Sequence, residues 1–146
     1  VSETHPSAAP GSILFVCGMN SIRSPMAEAI ARSVLPTSVY VASAGVKDGE
    51  RDPFVDVILA EEGLSLGDRK PQKYDDLADG FFDLIVTLSP EAHHAAMSAT
   101  EADATAVEFW PMPDPSAVNG SRGQILDAYR DLYRRIREKL EDLRRR

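Results

Sequence analysis

Five residues separate the thiol of Cys17 from the guanidinium of Arg23, and Cys17 is the only cysteine in the chain. The intervening segment is Gly18-Met19-Asn20-Ser21-Ile22, and Ser24-Pro25 follows Arg23 directly. A free thiol is only a few per cent thiolate at neutral pH, and unpaired amides, a helix N-terminus or a nearby cation favour the anion. The same groups, curled around a tetrahedral oxyanion, would hold a phosphate. Arg23 adds a planar fork that grips two oxygens at once, which lysine cannot do. A thiolate aimed at a bound phosphoryl group is a nucleophile for phosphoryl transfer. Against this stands the plain alternative that a lone cysteine is a small, inert core residue.

The flanking sequence decides between them. Ile13-Leu14-Phe15-Val16 reads as a buried strand, apolar and partly β-branched, with Gly11 upstream. Ser24 reads as a helix cap and Pro25 as the first helical residue. Cys17 then sits at the C-terminal end of a strand and before a helix N-terminus, the crevice in which parallel sheets bind anions. That consistency favours a phosphate-binding loop over an inert thiol.

A second reactive group follows the last predicted strand, in Trp110-Pro111-Met112-Pro113-Asp114-Pro115. Parallel strands point the same way, so this loop leaves the same sheet edge as the Cys17 loop. Phosphoryl transfer to a thiolate expels an oxyanion that needs a proton, and Asp114 could give it. The flanking prolines restrict the backbone around the carboxyl. Pro-Asp-Pro is also a plain turn sequence, so the acid role depends on the Cys17 loop beside it.

Strand and helix patterns alternate along the chain. Strands are expected at Ile13–Val16, Val39–Ala42, Leu84–Leu88 and Val107–Phe109. Helices are expected at Pro25–Leu35, from Pro53 to about Gly63, and at Pro90–Ser98. In the final helix Ile125, Tyr129, Leu132, Ile136, Leu140 and Leu143 step by three or four residues into one apolar stripe. The expected fold is α/β, an open and mainly parallel twisted sheet of about four strands with helices on both faces. Residues 1–10, rich in Pro, Ser and Ala, read as a flexible lead-in, and 11–146 as a single domain.

Composition narrows the function. The net charge is −7, yet residues 121–146 carry nine basic and five acidic side chains, a net of +4 that leaves −11 on the remainder. An acidic body excludes a general nucleic-acid binder. The Arg-rich end could dock an acidic partner, but a solvated helix face is the favoured reading. No apolar run reaches membrane-spanning length and no secretion signal opens the sequence. One cysteine excludes a disulfide framework and a multi-cysteine zinc site, and suits a reducing cytoplasm. His93 and His94 are adjacent on a helix and project about 100° apart, a poor pair of metal ligands. No metal or cofactor is expected.

Cys-x5-Arg-Ser at the first strand–helix junction, Ser43-Ala44-Gly45 after the second strand and Asp114-Pro115 before the last helix resemble the low-molecular-weight protein tyrosine phosphatases, from about Ser12 to Leu143. The resemblance implies a phosphomonoester hydrolase working through a cysteinyl-phosphate. Its substrate would be a phosphorylated protein or a small phosphomonoester. Cys17 would be the nucleophile, Arg23 the ligand of the phosphoryl oxygens, and Asp114 the general acid and then base. Gly18, Met19, Asn20, Ser21 and Ile22 would line the phosphate, Ser24 would donate to the thiolate, and Ser43 would brace Asn20. Two alternatives stand beside it. One is a weak or inactive phosphate-loop binding module; the other is an arsenate reductase-like protein, disfavoured because such chemistry uses further cysteines.

The chain departs from the family pattern at several places. Glycine falls one place early, so Met19 stands at the family's loop glycine, where φ > 0 would be resisted. Ile22 replaces a second cysteine. The segment Val46–Arg51 carries no aromatic to wall the cleft, and Ser116-Ala117 replaces aromatics after Asp114. Trp110 is expected to pack at the end of the last strand, and weak preference for tyrosine is expected. A histidine that follows the second helix in the family is replaced by Asp68 or Arg69.

Overall fold

The computed structural model describes residues 10–77, 80–101 and 104–146. Residues 1–9 of the expected lead-in lie outside that set; Pro10 is buried. Four strands, β1 (Ser12–Cys17), β2 (Tyr40–Gly45), β3 (Leu84–Thr87) and β4 (Ala106–Phe109), form one parallel sheet in the order β2-β1-β3-β4. Four helices intervene or follow: α1 (Arg23–Val34), α2 (Pro53–Glu61), α3 (Pro90–Ala99) and α4 (Arg122–Arg144).

Side chains alternate across the sheet, as strand geometry requires. Ile13, Phe15 and Cys17 of β1 face a core completed by α1, α2 and the α4 residues Tyr129, Leu132, Ile136, Leu140 and Leu143. Leu14 and Val16 face a smaller core with Ala92 and Ala96 of α3 and Tyr74. Helices therefore cover both faces, and the stripe read from sequence in α4 is the one that is buried. Trp110 is 3% exposed and packs beside Phe15, with ring centroids 6.1 Å apart.

Helix starts follow local chemistry in three cases. Asp52 accepts from Phe54 N ahead of Pro53, Ser89 accepts from Ala92 N ahead of Pro90, and Ser121 with Gln124 forms a reciprocal capping box. The start of α1 departs from expectation. It begins at Arg23, with Ile22 at the cap position and no side-chain cap. Ser24 lies inside the first turn, so its hydroxyl is free for another partner. Pro25 is tolerated there because first-turn N–H groups have no intrahelical acceptor.

The Arg-rich α4 is laced with ion pairs. Arg134 bridges Asp131 and Glu138, Arg135 bridges Asp131, Arg137 and Arg144 bridge Glu141, and Arg130 reaches Glu61 of α2 at 2.7 Å. The final Arg146 pairs with buried Glu108 of β4. Among the described residues, no helix is long and apolar enough to cross a membrane.

Candidate functional site

Because all four strands are parallel, their C-terminal ends share one edge, and the loops after β1, β2, β3 and β4 meet there. Cys17, the last residue of β1, is 2% exposed. Its Sγ lies 2.9 Å from Ser24 Oγ. Asn20 Nδ2 donates to that same hydroxyl at 2.8 Å, and the Ala44 carbonyl is 3.2 Å away. Ser24 has one proton to give, and a thiolate can only accept, so ionised Cys17 would draw the Ser24 O–H toward sulfur. The residue expected to cap α1 instead serves the thiol.

Asn20 shapes the loop. Among the described non-glycine residues it alone has positive φ, 56°. Asparagine tolerates this left-handed conformation. Met19 does not adopt it, so the early placement of glycine carries no backbone penalty; Met19 is half exposed instead. The fully buried Asn20 amide is saturated. Its Nδ2 donates to Ser24 and to Ser43 Oγ at 3.0 Å, and its Oδ1 accepts from Gln72 N at 3.0 Å and Arg69 Nη2 at 2.8 Å. Ser43 in turn donates to Glu28 Oε1 at 2.6 Å.

Two glycines let neighbouring backbone reach the loop. A Cβ on Gly45 would lie 2.5 Å from Asn20 N and Met19 C, and one on Gly49 would lie 2.6 Å from Ser21 Oγ. Neither position needs an unusual φ; the constraint is contact alone. Among the described residues, the N–H groups of residues 18–22 make no backbone hydrogen bond. They are donors without an internal acceptor.

Arg23 donates from Nη1 to the Met112 carbonyl at 3.2 Å and makes no ion pair among the described residues. Its charge is therefore not spent on a carboxylate. Asp114 uses one oxygen, Oδ1, to accept from Ser116 N at 2.9 Å and Ser116 Oγ at 2.6 Å, which starts the short 3-10 turn Pro115–Ala117. The expected turn role is thus real. Its other oxygen has no hydrogen-bond partner among the described residues. Cys17, Arg23 and Asp114 line one pocket of about 220 Å³. Gly18, Met19, Ser21 and Ile22 line it as well, whereas Asn20 is behind it as a brace.

Two further charged groups line this pocket and pair with each other at 3.3 Å: Lys47, from the segment expected to wall the cleft, and Glu91, which was not expected there. A larger cleft of about 880 Å³ adjoins it, sharing Met19, Ser21, Ile22 and Ser116. Its lining includes Phe54 and Tyr129, with ring centroids 5.3 Å apart, under a rim with Asp48 and Glu50. The cleft therefore has an aromatic element, supplied by α2 and α4 and not by the two loops where one was sought. Tyr129 donates to Asp52 Oδ2 at 2.8 Å. Burial, then the Asp52 hydrogen bond and charge, hold its phenol well above the ordinary range, so it stays a neutral donor. Arg51 is committed to Asp56, to Gly67 O and to Arg69 O. Among the described residues no group of three or more His, Cys, Asp and Glu could hold a metal ion.

Arg69, Gln72, Glu28, Gly45 and Gly49 support the site; the sequence had singled out Gly45, within Ser43-Ala44-Gly45, and Arg69, as one of two replacements for a family histidine. A charged Glu28 among the apolar residues of α1 was the one other available signal.

The family model for low molecular weight phosphotyrosine protein phosphatase matches residues 12–146. The chain is 30% identical over 142 residues to a protein-arginine-phosphatase of Bacillus subtilis, covering 91% of each. It is 32% identical over 119 residues to a low molecular weight protein-tyrosine-phosphatase of Streptomyces coelicolor, covering 74% of this chain and 72% of that one. The tyrosine phosphatase amsI of Erwinia amylovora superposes with a TM-score of 0.76 at 22% identity over 97% of this chain and 95% of that one, a likeness of fold. An arsenate reductase from Archaeoglobus fulgidus superposes with a TM-score of 0.71 at 30% identity, covering 92% and 99%.

Gly45→Ala places a methyl against loop backbone that has no flexible side chain to yield. It is expected to weaken vanadate binding at least about tenfold, roughly 1.4 kcal/mol, while the protein stays folded. Vanadate titration beside a thermal melt checks this; unchanged affinity in the folded variant would mean that the close approach is not needed.

Proposed function

The chain belongs to the low molecular weight phosphotyrosine protein phosphatase family, and from that premise we propose that it hydrolyses phosphorylated protein side chains with Cys17, Arg23 and Asp114 as its catalytic residues. The observation that carries this reading is the convergence of an enclosed thiol, an arginine without a carboxylate partner and a half-unoccupied carboxyl on one small pocket.

In the first step the loop N–H groups and Arg23 bind the three non-bridging phosphoryl oxygens. The Cys17 thiolate attacks phosphorus in line, the bond to the leaving group breaks, and protonated Asp114 gives that group its proton. In the second step water attacks the cysteinyl-phosphate, Asp114 takes the water proton, and the P–S bond breaks to return the thiolate and inorganic phosphate. Ser24 donates to sulfur in both thiolate states. Neither step requires a metal or cofactor.

The rival readings fit the chain less well. An arsenate reductase that closes an intramolecular disulfide lacks its second thiol here, since Cys17 is the only cysteine. A pure phosphate binder has no use for Asp114. An acidic partner on α4 would have to displace the ion pairs that its arginines other than Arg122 already make. A reducing cytoplasm suits an enzyme that depends on one free thiol.

A second reading of the substrate has its own support. Asp48 and Glu50 stand on the rim of the adjoining cleft and form no ion pair among the described residues. A phosphorylated arginine keeps a cationic guanidinium, which such a rim attracts, and the Bacillus subtilis relative is named for that substrate. We therefore place phosphoarginine beside phosphotyrosine as a candidate, with its P–N bond broken in the first step.

Cys17→Ser is expected to abolish turnover of an aryl phosphate while vanadate still binds, because the amides and Arg23 remain; retained hydrolysis would assign the chemistry elsewhere. Asp114→Asn should slow alkyl phosphates by about 10²–10⁴-fold and aryl phosphates far less, because an alkoxide needs the proton more. Equal losses on both would make Asp114 structural. Peptides carrying phosphoarginine or phosphotyrosine, compared by kcat/KM, separate the two substrate readings. A guanidino substrate should lose more on Glu50→Gln than an aryl one, and no difference would remove the rim from recognition.

A further inference from the structure

We propose that Met19 is a specificity-determining residue, its thioether side chain forming the wall against which an aryl group carrying the phosphate lies. This rests on the phosphatase reading above and deepens it by favouring phosphotyrosine over phosphoarginine at the same site.

Met19 is 50% exposed. A single exposed methionine on a protein surface is ordinary. This one stands where the catalytic pocket opens into the larger cleft, and it lines both. Of the other residues common to the two cavities, Ser21 and Ser116 are short and polar, and Ile22 packs against the main core. Met19 is therefore the residue that brings exposed apolar bulk to the opening.

Its backbone is held in place from the β2 side. Val46 N donates to Cys17 O at 3.1 Å and Lys47 N to Gly18 O at 2.8 Å, so the chain after β2 runs along the start of the loop. A Cβ on Gly45 would lie 2.5 Å from Met19 C. One on Gly49 would lie 2.3 Å from Met19 O and 2.8 Å from Met19 Cβ. Any side chain at position 49 would thus collide with Met19. The apolar wall that the segment Val46–Arg51 lacks is supplied from the loop itself.

Beyond Met19 the cleft is apolar and aromatic: Pro53, Phe54, Val118, Ile125 and Tyr129 line it, and the Tyr129 hydroxyl is engaged with Asp52. A group leaving the phosphate pocket by this opening meets the methionine first and these residues next. Thioether sulfur attracts ring edges, and an unbranched side chain adapts to a flat partner. A phosphorylated arginine would bring its guanidinium to the same wall, where sulfur is only a weak acceptor for the N–H groups. Its apolar stem would begin farther out.

Binding of phosphotyrosine and phosphoarginine peptides to the Cys17→Ser protein, measured by calorimetry, reads the wall whether or not the enzyme turns over. Adding Met19→Ala is expected to weaken the phosphotyrosine peptide about tenfold and the phosphoarginine peptide less than about threefold. Vanadate, which has no group to press on the wall, should keep its affinity. Met19→Leu should restore most of the loss, and Met19→Gln, similar in length but polar, should not. In the active protein Met19→Ala should raise KM for the phosphotyrosine peptide with a smaller change in kcat, as loss of uniform binding does. Unchanged phosphotyrosine affinity, or equal losses on both peptides, overturns the proposal. An equal loss of vanadate also overturns it, because Met19 would then act through the loop backbone. So does a Cys17→Ser protein that binds no phosphotyrosine peptide. Failure of the phosphatase reading is distinct: the peptides would bind with this dependence on Met19, yet the wild-type protein would release no phosphate.

Discussion

A loop with the unpaired N–H groups of residues 18–22 must be held open for the oxyanion proposed above, and that task falls to one buried amide. Unpaired N–H groups repel one another and would, in a floppy loop, turn toward water or nearby carbonyls. Asn20 prevents this by taking the left-handed turn itself and tying its side chain to four partners from three other segments. A buried amide with any of those bonds missing would carry a desolvation penalty of about 1–3 kcal/mol. The network is therefore all-or-none, and the loop geometry is built into the fold.

The rest of the structure serves that loop. Parallel pairing of β1 with both β2 and β3 places the thiol at the sheet centre, with Gly45 at the end of one neighbour. A methyl at Gly45 would push on the Asn20 amide nitrogen, so the smallness of this residue is a requirement of the loop. The same topology brings Asp114 to Cys17 across nearly a hundred residues of sequence. Backbone bonds from Trp110 N to Thr87 O and from Met112 N to Leu88 O pin the intervening loop, and the Met112 carbonyl accepts from Arg23.

Charge is distributed to the same end. Apart from Arg122, which lies over the Phe54 ring, the arginines of α4 are occupied by carboxylates on their own helix or by Glu61, and Arg146 beyond it by Glu108, while Arg23 meets only a carbonyl. The chain thus keeps a guanidinium available for a dianion within a body of net negative charge. Asp48 and Glu50 on the cleft rim and the Lys47–Glu91 pair add charge around an opening whose lining also holds Phe54 and Tyr129.

Local chemistry was enough to read the frame from sequence. Cys17 before Arg23, strand-forming Ile13–Val16 and the apolar stripe of α4 all act through neighbours within a turn or a few residues; the caps Asp52, Ser89 and Ser121 act as locally but were not singled out. The common edge followed from parallel strands, whereas the order β2-β1-β3-β4 was given only by the structure. What the tertiary structure alone decided lies in contacts between distant segments: Arg69 and Gln72 on Asn20, Glu28 under Ser43, Gly45 and Gly49 against the loop, Phe54 and Tyr129 in the cleft. Ser24 is the instructive case. Its type and position matched a helix cap while the family resemblance placed it at the thiolate, and its hydroxyl lies 2.9 Å from the thiol and accepts from a buried asparagine. No periodicity records such competition, because its outcome depends on how the loop between β1 and α1 folds against the helix start.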